Sequence, residues 1–367
     1  MKRLSHKLLG LILLVLSACG GAGASSTTAA WVSVASSGAV IAGTDFITSQ
    51  GNTMATGAST EGVSGTFDIS FSDSETGWFV GNLGEVLKTT DGGGTAELLG
   101  IGTSSALRGV FALDSNNIII VGQDSANDGA SIFYSTDSGA TWLIPANTAV
   151  TYPDRAIFST DRLRGVDFND ANNGLVVGGL GDNTNVIWQT SDGGSTWAEV
   201  YHATTTGTDD ELSSVAYLSS SDVVAVGNTG VILTSADGGA TWTEQDSGTT
   251  ENLYKTKCFD ALTCLAVGGA GTLLQTSDSG ATWAAISSGT SEDLNALAVN
   301  GDEAWVGGSA GTMLYSADNG STWAAQVTDT DYPIQAIHML SATSGFAGAA
   351  NTSSNTGAIL HTSTGGL

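Results

Sequence analysis

The chain has 367 residues, with 50 glycines, only 3 prolines, 41% hydrophobic residues and 13% charged ones. That apolar content excludes a disordered chain, and small residues separating short apolar runs point to an all-β protein rich in tight turns. The formal charge of −26 at pH 7 excludes nucleic acid and anionic membrane surfaces as direct partners, because the surface repels both.

At the N-terminus, Lys2, Arg3 and Lys7 precede the apolar run Leu8 to Leu16 (LLGLILLVL), which is too short to stay in a bilayer as a spanning helix. The run ends in Leu16-Ser17-Ala18-Cys19, a small-residue cleavage site that resembles the bacterial lipobox. Residues 1–19 are therefore expected to be a lipoprotein signal, with the Cys19 thiol taking a diacylglyceryl group and its freed amine a third acyl chain. Each buried CH₂ contributes about 0.8 kcal/mol, so two or three chains anchor a protein firmly. Gly20 after the cysteine resembles lipoproteins sent on to the outer membrane. The expected location is thus exported and lipid-anchored, at the periplasmic face of the outer membrane or the cell surface. Residues 20–30 are small and polar enough to be a flexible tether. Loss of the signal leaves 7 basic residues against 36 acidic ones, a net charge of −29.

From residue 31 onward one unit recurs. An octapeptide appears as STDSGATW, TSDGGSTW, SADGGATW, TSDSGATW and SADNGSTW, ending at Trp142, Trp197, Trp242, Trp283 and Trp323. A degraded copy around Asp91 has Ala96 in place of Trp, and a truncated one, Thr362 to Gly366, has Thr364 in the Asp position. The Asp positions are Asp91, Asp137, Asp192, Asp237, Asp278 and Asp318, separated by 46, 55, 45, 41 and 40 residues, with 46 more to Thr364. These steps fit a four-stranded propeller blade. The octapeptide is an Asp box: the carboxylate is expected to accept backbone N–H groups about two residues on. The Gly takes positive φ and the Trp packs back between sheets. These Asp and Trp residues are read as structural rather than as metal ligands or catalytic acids.

Before each box stand an alternating strand, a polar turn, an apolar strand ending in Val-Gly or its equivalent, and another apolar strand. Counting by that glycine gives seven units, at Gly81, Gly122, Gly178, Gly227, Gly268, Gly307 and Gly348. The seventh lacks a fourth strand, and Ala30 to Gly38 (AWVSVASSG) reads as the missing one. The expected fold is an all-β, seven-bladed propeller over residues 31–367, of four-stranded antiparallel blades with Asp-box hairpins, closed by the N-terminal strand and leaving no exposed edge. It is expected as a monomer.

Cys258 and Cys264 lie six apart across the first hairpin of blade 5 (CFDALTC). They are expected as a disulfide, which an exported location permits, rather than as free thiols or a redox pair. The acidic runs Asp209-Asp210-Glu211 and Asp329-Thr330-Asp331 read as solvated loops between blades, with Ca²⁺ binding the lesser alternative. No nucleophile elbow, phosphate loop, haem motif or Cys/His metal cluster is visible, so neither cofactor nor metal is expected. A sialidase needs three arginines spread around the ring to hold its substrate carboxylate. The mature chain has four, Arg108, Arg155, Arg162 and Arg164, with three of them within ten residues.

Blades with LRGV first strands (Leu107 to Val110, Leu163 to Val166) and GWFVG or VVGG second strands resemble the photosystem II assembly and stability factors. These are seven-bladed propellers of the thylakoid lumen with many bacterial relatives, and the resemblance covers Ala30 to Leu367. It implies a non-enzymatic interaction platform that holds a protein partner, here a membrane or envelope complex, during assembly, with a basic patch in partner binding. Arg108 and Arg164 match the LR pair, while later blades carry Ser213, Tyr254 and Asn295 at that position. Pro145 to Arg164 and His202 to Leu212 depart furthest from the repeat. Arg108, Arg155, Arg162 and Arg164 are therefore the candidate partner-binding residues. The alternative is a cell-surface glycan-binding or glycan-cleaving propeller, since Asp boxes also occur in sialidases, xyloglucan-type glycanases and sorting receptors. The lipidation reading is checked by fractionation: Cys19→Ser should move the protein from the membrane pellet to the soluble fraction, and retention in the pellet would refute it.

Overall fold

The computed structural model describes residues 31–33, 45–47, 53–55, 66–123, 132–145, 162–179, 184–203, 211–351 and 356–366. Cys19, the signal and the tether lie outside these residues, as do Ala30 and residues 34–38 of the N-terminal strand expectation.

Apolar alternation in each unit yields an antiparallel meander, and seven meanders follow one another along the chain. Their first strands are Thr66–Phe71, Ala106–Ala112, Arg162–Phe168, Leu212–Tyr217, Leu253–Cys258, Leu294–Asn300 and Ile334–Met339. Each lies beside the first strand of the next blade, and the seventh lies against the first, which closes a circle. Blades 2 and 3 are joined at the edge by one pairing, Arg162 with Gln123. Second strands such as Gly77–Gly81, Gly174–Gly179 and Val223–Gly227 are buried along their whole length. Each is sandwiched between neighbouring sheets, which is why these segments read as unbroken apolar runs. The architecture is an all-β, seven-bladed propeller. Fourth strands are shorter than the repeat implies: Ala284–Ala285 and Ala324–Ala325 have two residues each, and blade 2 has only the Tyr134–Leu143 bridge.

The turns at the box end are locked by side chains. In blade 4, Ser235 Oγ donates to Asp237 Oδ1 (2.8 Å) and accepts from the Gly239 N–H (2.8 Å). Thr241 then donates its N–H to Asp237 Oδ1 (2.8 Å) and its hydroxyl to Oδ2 (2.6 Å). Asp91, Asp137, Asp192, Asp278 and Asp318 accept the same pair from the threonine four residues on. The carboxylate therefore spans the loop to position +4 rather than making the tighter turn expected from sequence. The box glycine has φ of 97° at Gly239 and 87° at Gly139. A Cβ there would press on the preceding blade, 2.9 Å from Leu175 at Gly239 and 2.9 Å from Leu265 at Gly320. Glycine is required on both counts. The indole N–H groups of Trp197, Trp242, Trp283 and Trp323 donate to the carbonyl of that glycine, and only Trp197 of the box tryptophans is fully buried.

Where the box decays, other residues take over. Ala96 sits in a core with Phe71, Phe79 and Phe346, the rings of Phe71 and Phe346 stacking at 5.5 Å. In blade 7 the Gly366 N–H still donates to Thr362 Oγ1 (2.9 Å), although Thr364 offers no carboxylate. Val32–Ser33 pairs with Thr356–Thr362 as that blade's fourth strand. The preceding Trp31 is wholly buried, exchanges backbone hydrogen bonds with Val327 and Asp329 of blade 6, and donates its indole N–H to Gln326 Oε1 (2.8 Å). Gln326 in turn donates to the Gly365 carbonyl (3.1 Å), tying both ends of the chain to one seam. A disulfide joins Cys258 to Cys264 across the first hairpin of blade 5.

Two outcomes follow. Trp31→Ala should destabilise the whole ring by about 3–5 kcal/mol, as for other buried tryptophans, measured from urea midpoints; a change within error would show that the seam does not support the ring. The carboxyls of Asp137, Asp237, Asp278 and Asp318 are held below 3.8 by the threonine hydroxyl four residues on and then by its N–H. A depressed folded value stabilises the protein above the unfolded one and is lost as pH falls through it. The destabilisation caused by Asp237→Ala should therefore be full at pH 7 and shrink below about pH 4, followed by thermal melting.

Candidate functional site

Every first strand is interrupted at the same place. The pairing skips one residue between Thr66 and Asp68, Leu107 and Gly109, Leu163 and Gly165, Leu212 and Ser214, Leu253 and Lys255, Leu294 and Ala296, and Ile334 and Ala336. A bulge of this kind re-aims one side chain. The seven skipped residues, Phe67, Arg108, Arg164, Ser213, Tyr254, Asn295 and Gln335, together with Lys255, line an open cavity of about 240 Å³ at one mouth of the axis. This mouth is opposite the box face, where the turns after the first strands dock (Gly92 N–H on the Glu75 carbonyl, 2.8 Å; Gly238 N–H on Ser221, 2.8 Å).

Two of the skipped residues are arginines. The Arg108 guanidinium lies over the Phe67 ring at 4.2 Å, and its Nε has no hydrogen-bond partner among the described residues. Burial, with the Arg164 guanidinium adding, pulls Arg108 down to about 10, so it stays charged at neutral pH. Arg164 reaches Glu211 Oε2 through Nε (2.6 Å) and Nη2 (2.5 Å), and Arg162 Nη1 reaches Oε1 (2.8 Å). The Glu211 side chain is only 5% exposed. The expectation of a solvated acidic loop therefore fails at Glu211. It stands just before the first strand of blade 4, where the bulge in blade 3 aims Arg164 at it. Arg162 and Arg164, two of the candidate partner-binding residues, are both engaged with this carboxylate. Arg155, Asp209 and Asp210 lie outside the described residues, as does most of the two divergent loops.

Below the mouth the two-residue alternation resumes and puts a second and a third ring of side chains on the axis. Lys255 Nζ meets Asp68 Oδ1 (3.4 Å) across the lumen, from blade 5 to blade 1. Deeper still lie Lys257, Asp167 and His338. Burial raises the Asp167 carboxyl against the opposing pull of Lys257, and burial takes His338 to about 4, leaving a neutral imidazole at neutral pH. Of the six described basic residues, five (Arg108, Arg162, Arg164, Lys255 and Lys257) stand on the axis or at its mouth. Lys88 alone binds elsewhere, to Ser138 of the next box (2.6 Å). Sequence reasoning found the arginines and missed the lysines. The signal was the register: Lys255 and Lys257 follow Tyr254 with the spacing that places Gly165 and Asp167 after Arg164. Among the described residues no cluster of His, Cys, Asp and Glu has the arrangement of a metal site.

Fold and site together define a seven-bladed Asp-box propeller whose few cations gather at one opening of its axial channel. Residues 144–248 and 244–367 match the family described as "Photosynthesis system II assembly factor YCF48", and the chain belongs to that family. Among solved structures it is similar to "YCF48 bound to D1 peptide" (22% identity, TM-score 0.62, covering 82% of this chain and 94% of that one). It is similar also to YCF48 from Cyanidioschyzon merolae (20% identity, TM-score 0.62, covering 82% and 96%). A GH74 enzyme of Niastella koreensis shares the fold at 18% identity and TM-score 0.62, over 78% of this chain and 51% of that one. No curated protein matches the chain.

The Glu211 clamp is testable. Removing its charge leaves Arg162 and Arg164 unpaired. Because both guanidiniums reach solvent, Glu211→Gln should cost about 1–2 kcal/mol, less than the roughly 3–5 of a fully buried pair. A neutral result in denaturant titration would show the clamp to be without structural weight.

Proposed function

We propose that the protein is a non-enzymatic, lipid-anchored interaction platform whose axial mouth binds an acidic, extended segment of a membrane or envelope protein during assembly of its complex. The observation that carries this reading is the mouth itself. In a chain of net charge −26, the bulges of blades 2 and 3 bring Arg108 and Arg164 to one rim. The other blades add groups that can meet a peptide backbone: Ser213, Tyr254, Asn295 and Gln335. Arg108 has an unused donor, and Arg162 and Arg164 share the one carboxylate of Glu211, so the blade 2 and 3 side of the rim is positive, while Glu251 and Asp293 stand beside Tyr254 on the blade 5 side. Such charge steers an acidic segment toward the axis and away from the repelling outer surface. Membership of the assembly-factor family supports the reading, as does the complex of YCF48 with D1 peptide, a protein partner of the same general kind. In this proposal Cys19 carries the lipid, so the propeller works at the outer membrane's periplasmic face or at the cell surface.

The competing reading, a glycan-binding or glycan-cleaving propeller, draws on the shared fold of the GH74 enzyme. An inverting glycosidase needs two facing free carboxylates, whereas here Glu211 is clamped by Arg162 and Arg164 and Asp68 is paired with Lys255.

Capture from detergent-solubilised envelopes, with the lipidated protein as bait, tests the proposal. One stoichiometric membrane complex should be recovered, and Arg108→Glu with Arg164→Glu should lower its recovery at least about tenfold, as expected for reversing charges that the partner meets. Undiminished recovery with the double variant would exclude the mouth. An empty capture combined with binding or turnover on a polysaccharide panel would favour the glycan reading.

A further inference from the structure

Beneath the mouth the lumen continues into a more enclosed chamber of about 210 Å³ lined from all seven blades. A single water needs only roughly 10–15 Å³ of such space, so the chamber has room for a polyatomic guest. Its polar lining is unbalanced toward donors. Lys255 and Lys257 both reach it, Lys255 also lining the mouth above and Lys257 the opening on the box face. Lys257 makes no ion pair within 4 Å and no hydrogen bond among the described residues, although its strand faces the interior. Ser70 Oγ accepts the Ala112 N–H (3.0 Å) and Ser214 Oγ the Thr256 N–H (3.3 Å), and neither hydroxyl donates its own hydrogen to a described residue.

The acceptors are already engaged. Asp68 takes the Val110 N–H at Oδ2 (3.0 Å) and Lys255 at Oδ1 (3.4 Å). Asp167, which lines the lower opening, takes the Tyr217 N–H (2.9 Å) at Oδ2, and burial raises its carboxyl toward the neutral form. His338 is held neutral by burial and is hydrogen-bonded to the backbone of Ile69. What remains unmet is the Lys257 ammonium and two hydroxyl hydrogens around one enclosed space, with Lys255 beside them held only by its 3.4 Å contact with Asp68. That is the complement of an oxyanion, whose negative oxygens accept from Lys257 and the two hydroxyls, with Lys255 shared between the guest and Asp68.

We propose that this chamber is a binding site for a small free oxyanion, a phosphate or a short carboxylate, held by Lys257 and Lys255 with the Ser70 and Ser214 hydroxyls. The site is separate from the peptide-binding role of the mouth and stands or falls without it. Its occupant would give Lys257 the direct ion pair that Asp167, close enough to feel its charge, does not make, and would brace blades 1, 4 and 5 against one another across the axis.

The test is calorimetric titration of the full-length protein in detergent with inorganic phosphate and, separately, with succinate, against chloride at matched ionic strength. One saturable equivalent is expected with at least one of the two anions, and which of them binds identifies the class. Lys257→Met should weaken that binding at least about tenfold, the effect of losing one charge-assisted bond. The double variant Ser70→Ala with Ser214→Ala, which keeps both charges, should weaken it about threefold or more and covers the case in which Lys257→Met does not fold. Arg108→Glu should leave the anion affinity unchanged while reducing partner capture, which separates failure of the chamber from failure of the mouth. The absence of saturable heat above chloride for both anions would overturn the proposal, as would wild-type affinity in the serine double variant.

Discussion

Crowding at the axis is the constraint on which the rest of this structure depends. Seven first strands stand side by side around one line, and each must approach its neighbour closely. At Gly165 a Cβ would come within 3.0 Å of the Ser214 Cα, and at Gly109 within 3.0 Å of the Arg164 carbonyl. The inner positions are accordingly occupied by Gly109, Gly165, Ala296 and Ala336 in four of the seven blades. Against that background of small residues, any long side chain in the same register has only the lumen to enter. Lys255 and Asp68 do so from opposite sides and meet there.

The box turns serve this arrangement from the periphery. Each is closed by its own Ser/Thr, Asp and Thr hydrogen bonds and is then tied to its surroundings, as where Gly238 donates to the Ser221 carbonyl and accepts from Gln189 of the preceding blade. Its glycine then seats on the second strand of the preceding blade, where a Cβ would collide. Local hydrogen bonds thus set the turn, and the missing side chain sets the distance between sheets. The scheme tolerates loss of single parts because the seam can be filled otherwise. Phe71, Phe79 and Phe346 fill the space beside Ala96, and in blade 7, which has no box carboxylate, Gln326 held by Trp31 still donates to the Gly365 carbonyl, as Gln189 does to Gly238.

The proposed site rests on the one irregularity the repeat preserves. The bulge near the start of each first strand lets a single position escape the alternation and face the mouth. These residues range from Phe67 through Arg108 to Ser213 and Gln335, whereas the position before each bulge is Leu in five blades, with Thr66 and Ile334 in the others. Positive charge is concentrated there and along the lumen, in a chain that is otherwise strongly acidic. In the proposed reading, an acidic guest is repelled by the sides of the molecule and drawn to the axis.

The sequence by itself determined the all-β class, the seven units and the box chemistry. Their signals are local: an octapeptide whose atoms bond to one another within four residues, and alternation within single strands. The cystine of blade 5 was legible for the same reason, since Cys258 and Cys264 face each other across one short hairpin. The matching of Arg108 and Arg164 was visible too, as two copies of one motif. Their partners were not. Glu211 stands 47 residues from Arg164 and Asp68 stands 187 from Lys255. Which charges meet across a ring depends on how many blades close it and how far each bulge turns its side chain. Closure and register are properties of all seven sheets at once, so only the tertiary structure decided them.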